Sequence, residues 1–136
     1  MTPVKPRILI VEDEKNWLEM HEFFLGQENL NLDVKATDNL HQALRDMDKF
    51  DCVLVDGLGG LWEKFAEKGR DKGIRVIVIS SKQEKEEASF REQVASYRAE
   101  FLNKDVFIFG DGAKEYRSLA ERINGSGGIN KEALSF

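Results

Sequence analysis

Little in this 136-residue chain suits it to a membrane, to secretion or to nucleic acid. No apolar run approaches the length needed to span a bilayer, and the opening MTPVKPR leads straight into an expected strand instead of a signal-peptide core, so a cytoplasmic protein is expected. There is one cysteine, Cys52; it has no internal disulfide partner and falls in an apolar run, which fits packing in a reducing compartment. No basic block stands out and the net charge is −5, which argues against direct nucleic-acid binding. Internal repeats and low-complexity segments are also absent. What is present is the balance of a globular domain: 41% hydrophobic and 33% charged residues, in a chain long enough to bury one real core.

The stretch FDCVLVDGLGG, residues 50–60, organises the rest. Cys52, Val53, Leu54 and Val55 read as a strand buried on both faces that delivers Asp56 into a glycine-rich turn. In an open parallel sheet, ligands and chemistry collect beyond the carboxyl ends of the strands. Asp56 sits at such an end, although Asp-Gly is also ordinary turn chemistry.

Upstream, RILIV at residues 7–11 reads as a first central strand running into Glu12, Asp13 and Glu14. Glu14 is explained as a helix start, since acids favour helix N-termini. Glu12 and Asp13 share the sheet edge of Asp56. Residues 15–26 carry Trp17, Leu18, Phe24 and Leu25 at near-helical spacing. A second strand is expected at 32–36, then a helix capped by Asp38 that buries Leu40, Ala43, Leu44 and Met47. A short helix at 61–68 follows Asp56, with Arg70 to Gly73 breaking it, and RVIVI at 75–79 is another buried strand, ending in Ser80 and Ser81. Alternating strands and helices predict an α/β fold: a doubly wound, five-stranded parallel sheet with helices on both faces, flavodoxin-like.

After Ser81 two readings compete. Phe90, Val94, Tyr97 and Phe101 fall at i, i+4, i+7 and i+11, the stripe of one helix to about Asn103, leaving VFIF at 106–109 as the last strand. Alternatively the helix stops near Ala95 and 100–103 is the last strand, placing Lys104 at its carboxyl end. The unbroken stripe favours the first. A final helix spans 114–123, with Tyr116, Leu119, Ala120 and Ile123 as its apolar face. The domain is therefore expected to be 1–123, with NGSGG opening a flexible tail or docking segment at 124–136. His21 and His41 are expected on helix surfaces, and Trp17 and Trp62 in core or rim packing.

This arrangement, with ILIVEDE, FDCVLVD and VIVISS in order at successive strand ends, resembles the receiver domain of two-component response regulators. The resemblance implies Asp56 as phosphoacceptor toward a phosphohistidine on a histidine kinase or phosphotransfer protein. It further implies Mg²⁺ held by Asp13, Asp56 and the Leu58 carbonyl, with Glu12 binding directly or through water. Independently of the resemblance, carboxylates gathered on one low-dielectric rim repel, and a hard divalent cation relieves them. The resemblance also implies Ser80 as the switch hydroxyl, an aromatic partner at Phe101 or Phe107, and Lys104 as the only match to the lysine that pairs with the phosphoryl group. Its products are signals passed to a downstream target or output domain, with no enzymatic activity beyond self-phosphorylation and self-dephosphorylation; a homodimer is left open. The altered loop GLGGLW and the position of Lys104 motivate an alternative, a receiver-like interaction module that is never phosphorylated. A small Mg²⁺-dependent phosphoryl-transfer enzyme is a third reading, and a poorer one, because DGLGG lacks a second acid two residues on.

Overall fold

The computed structural model describes residues 5–56, 61–81 and 84–126. Five strands, β1 (Arg7–Val11), β2 (Asp33–Thr37), β3 (Cys52–Asp56), β4 (Arg75–Ser80) and β5 (Glu100–Asn103), form one parallel sheet in the order β2-β1-β3-β4-β5. The expected doubly wound, flavodoxin-like sheet is the one observed. Among the described residues no helix is long and apolar enough to cross a membrane.

Period-2 alternation in the strands builds two cores. Leu9, Val11, Val53, Val55, Val76, Val78 and Phe101 face one way. They pack on α2 (Leu40–Asp46) through Ala43, on α3 (Trp62–Lys72) through Trp62, Phe65 and Ala66, and on α4 (Glu84–Ala95) through Val94. Ile8, Ile10, Cys52, Leu54, Ile77 and Ile79 face the other way, against α1 (Lys15–Leu25) and α6 (Gly112–Ser126) through Leu25, Tyr116, Leu119, Ala120 and Ile123. Burying each such side chain contributes roughly 1.5–3 kcal/mol. Helix α3 comes so close to β4 that a Cβ on Gly69 would lie 2.4 Å from Val76 Cγ2.

Local chemistry moves several expected boundaries. Asn39, not Asp38, caps α2, its side chain accepting from the Gln42 amide at 3.0 Å. The third helix runs on through Arg70 to Lys72 and is stopped by Gly73 in the left-handed region (φ 72°). The last helix reaches Ser126, beyond the expected end at Ile123, and Asn124 donates to the Leu30 carbonyl at 2.8 Å. Residues 127–136 of the expected tail lie outside the described residues.

The larger correction concerns the last strand, which is 100–103 and not the favoured 106–109. Helix α4 ends at Ala95 in a turn through Arg98 (φ 60°), whose amide donates to the Ala95 carbonyl at 2.8 Å. Phe90, Val94, Tyr97 and Phe101 do share one core, so their spacing reports a common environment. It is supplied by a helix, a turn and a strand in succession. Being an edge strand, β5 tolerates Glu100, which is paired to Arg75 and Arg122. VFIF instead forms the single turn α5 (Val106–Phe109), with Phe107 buried and Phe109 83% exposed.

Candidate functional site

The same alternation that divides the cores selects the site. Positions 8, 10 and 12 of the first strand, 52, 54 and 56 of the third, and 102 and 104 of the fifth fall on the α1/α6 side. The Glu12 amide donates to the Thr37 carbonyl at 3.2 Å, carrying the β1–β2 ladder one residue past Val11 and turning the Glu12 side chain inward. Lys104 follows β5 directly, and its amide donates to the Ser80 carbonyl at 3.1 Å, fixing it beside the end of β4.

The three charged side chains meet there. The Lys104 ammonium is bonded to Asp56 Oδ2 and lies 3.2 Å from Glu12 Oε2. Its residue is 7% exposed, and Glu12 is 1% exposed. Glu12 Oε1 also accepts the Glu14 amide at 3.1 Å. Burial, and then the Asp56 carboxylate beside it, push the Glu12 carboxyl up to about 8, against the pull of the Glu14 amide and of Lys104.

Two α1 residues wall this cluster. Trp17 presents its indole face to the Lys104 ammonium, 4.3 Å from the ring centroid. His21, one turn on, is 2% exposed and shares a 2.7 Å hydrogen bond through Nδ1 with the Tyr116 hydroxyl, while its Nε2 lies 3.8 Å from Glu12 Oε2. Burial and the Lys104 charge lower His21 to about 4, so it is a neutral neighbour of Glu12. Burial, with the Glu12 charge, raises the Tyr116 phenol.

The surface position expected for His21 is therefore wrong, whereas His41 is exposed. Trp17, His21 and Phe24 fall at i, i+4 and i+7, a stripe that places His21 on the inward face. Trp62 packs in the core, as expected. Of the other residues anticipated at the site, Asp13 is exposed just past the strand end, and Leu58 lies outside the described residues. Ser80 is half-buried at the end of β4; by alternation it belongs with Val76 and Val78 on the opposite side from Asp56. Phe101 is buried on that same side against Phe90 at 5.2 Å, while Phe107 stacks on Tyr116 at 4.2 Å near the acids. Among the described residues no group of three or more acid, histidine or cysteine side chains is placed to hold a metal ion.

A parallel five-stranded sheet in this order, with an acid–lysine cluster at its carboxyl rim, defines a doubly wound fold with its site where the strands end. Solved structures specify it further. The signal receiver domain of the response regulator NarL from Mycobacterium tuberculosis matches at 20% identity, covering 90% of this chain and 99% of that one, with a TM-score of 0.68. The signal receiver domain of a modulated diguanylate cyclase from Desulfovibrio desulfuricans G20 matches at 25% identity over 97% and 99% of the two chains, with a TM-score of 0.61. Full-length FixJ from B. japonicum matches at 14% identity and a TM-score of 0.72; there, 98% of this chain spans 64% of the other. No family model and no curated protein matches the sequence. The chain has the fold of a response-regulator receiver domain.

Proposed function

We propose that the protein is a phosphoacceptor receiver domain that takes a phosphoryl group onto Asp56 from a histidine kinase or phosphotransfer protein. The observation that carries this reading is the Lys104 ammonium bonded to the Asp56 carboxylate at the strand ends. An Asp56 oxygen attacks phosphorus, the P–N bond to the donor imidazole breaks, and the imidazole leaves with that electron pair, giving an acyl phosphate. Lys104 orients the acceptor beforehand and is within reach of the phosphoryl oxygens afterwards. Glu12 and Asp56 fit a hard cation in chemical kind. They are two acidic side chains sharing one ammonium, and burial, with the Asp56 carboxylate beside it, raises Glu12 to about 8. Asp56 and Glu12 would hold Mg²⁺, with water completing such shells; Asp13 and the Leu58 carbonyl enter only as the further donors that the receiver resemblance implies. Bound there, the ion would offset the charge of the transferring group. The acyl phosphate's charge of about −1.5 to −2 then biases contacts with a target or output domain; Ser80 and Phe101 face the other side of the sheet, so a switch through them requires Ser80 to turn toward Asp56.

Incubating the full chain with acetyl phosphate and MgCl₂, followed by intact-mass measurement, tests this. One added phosphoryl group is expected in the wild type and none in Asp56→Asn or after chelation; modification that survives Asp56→Asn removes Asp56 as acceptor. A second reading is favoured by the exposure of Asp13, away from the Glu12–Asp56–Lys104 cluster: a receiver-like module that acts through protein contacts without phosphorylation. Absence of any mass change would favour it.

A further inference from the structure

A lysine ammonium has three N–H bonds, and each needs an acceptor when the group is buried. Around Lys104 the structure supplies Glu12 Oε2 at 3.2 Å, Asp56 Oδ2, and the indole face of Trp17 at 4.3 Å. The third is the unusual one. Trp17 is in the first turn of α1, so a residue of the helix after β1 closes over a lysine that follows β5. Its ring is in turn braced. Trp17 and His21 lie at i and i+4 with ring centroids 5.5 Å apart, and His21 is tied to α6 by the 2.7 Å bond to Tyr116 and flanked edge-on by Phe107 at 5.8 Å. The lysine has a long, rotamer-rich stem, and without a wall on this side its head group is drawn to solvent.

We infer that Trp17 is a positioning residue of the Asp56 site, its indole face holding the Lys104 ammonium on the acceptor carboxylate by a cation–π contact. The inference rests on the phosphoacceptor reading for its kinetic consequence, but not for its physical content. A cation held over an indole face in a partly dry site gains more than one held over a phenyl ring, and a saturated side chain of similar bulk gives nothing comparable.

The test combines Trp17→Leu, Trp17→Phe and Lys104→Met in the full chain. Two readouts are followed: the proton shifts of the Lys104 ε-methylene, and the rate of Asp56 modification by acetyl phosphate with MgCl₂. In the wild type the methylene protons lie upfield, shielded by the indole. In Trp17→Leu they move downfield and the rate falls by about fivefold, with Trp17→Phe intermediate in both. In the Lys104→Met background, Trp17→Leu leaves the rate unchanged, whereas a merely structural tryptophan would slow both backgrounds alike. A Trp17→Leu protein that keeps the wild-type rate, or that slows equally with and without Lys104, overturns the inference. If the wild type takes no phosphoryl group, the phosphoacceptor reading fails. The positioning role is then decided on the Lys104 shift alone: movement in Trp17→Leu supports it, and an unmoved shift ends it.

Discussion

The two faces of the sheet are built on different terms. Against α2, α3 and α4 the interior is apolar throughout, filled by Trp62, Phe65, Met47 and the valines of three strands. Against α1 and α6 an equally buried layer ends at the strand tips in polar groups, His21, Tyr116, Glu12 and Lys104, each satisfied by another. The dry face follows from volume alone, but the mixed face holds only as a set, since removing one polar member strands its partner. The charged cluster lies on that second face, because alternation in β1, β3 and β5 sends Glu12, Asp56 and Lys104 the same way.

The sharpest way to test this difference is to empty the dry side. Phe65→Ala, at a residue 2% exposed, is expected to cost about 3–5 kcal/mol in urea unfolding, while the Lys104–Asp56 contact survives in the folded fraction. An equal loss accompanied by a changed Lys104 signal would join the two faces into one unit.

On the mixed side, Tyr116→Phe removes a single oxygen and strands His21 Nδ1, for a cost of about 1–3 kcal/mol without a cavity. A neutral outcome would mean that His21 finds another partner, and the face would be less interdependent than its contacts imply.

The smallest effect distinguishes the faces by pH. Glu12 binds its proton more tightly folded (about 8) than at its ordinary 4.5, so between those values the folded state holds more proton and stability falls as pH rises. His21 acts in the opposite sense between about 4 and 6.5, where the unfolded chain holds more proton and stability rises with pH. The two oppose each other up to 6.5, and above it Glu12 acts alone. In EDTA, stability measured from pH 6.5 to 8 is expected to decline by on the order of 1–2 kcal/mol, and Glu12→Gln to flatten that decline. A wild-type profile already flat would place the Glu12 proton affinity lower.

The tips of β1, β3 and β4 are readable because these strands are central: each is an apolar run on both faces that ends abruptly in a polar side chain, Glu12, Asp56 or Ser80. Lys104 was harder. Its strand is at the edge, only four residues long and carrying Glu100 and Asn103, so it scores below VFIF on apolar content, although VFIF is a helical turn. Periodicity misled for the same reason that it usually works: Tyr97 and Phe101 lie in the core served by Phe90 and Val94, but from the far side of the turn at Arg98. The spacing of His21 from Trp17 and Phe24 puts it on the buried stripe, a signal that its character as a titratable residue masks. The bond between His21 and Tyr116 spans 95 positions, and no local pattern announces such a pair.

The margins of the sheet have a consequence for how copies or targets meet the protein. One margin is the four-residue β5, with Glu100 clamped by two arginines; the other is β2, which alternates Asp33 and Lys35 with apolar residues. Short, charged borders of this kind discourage a foreign strand from extending the ladder. Under the proposed function, recognition is thereby left to the helical surfaces that flank the acids.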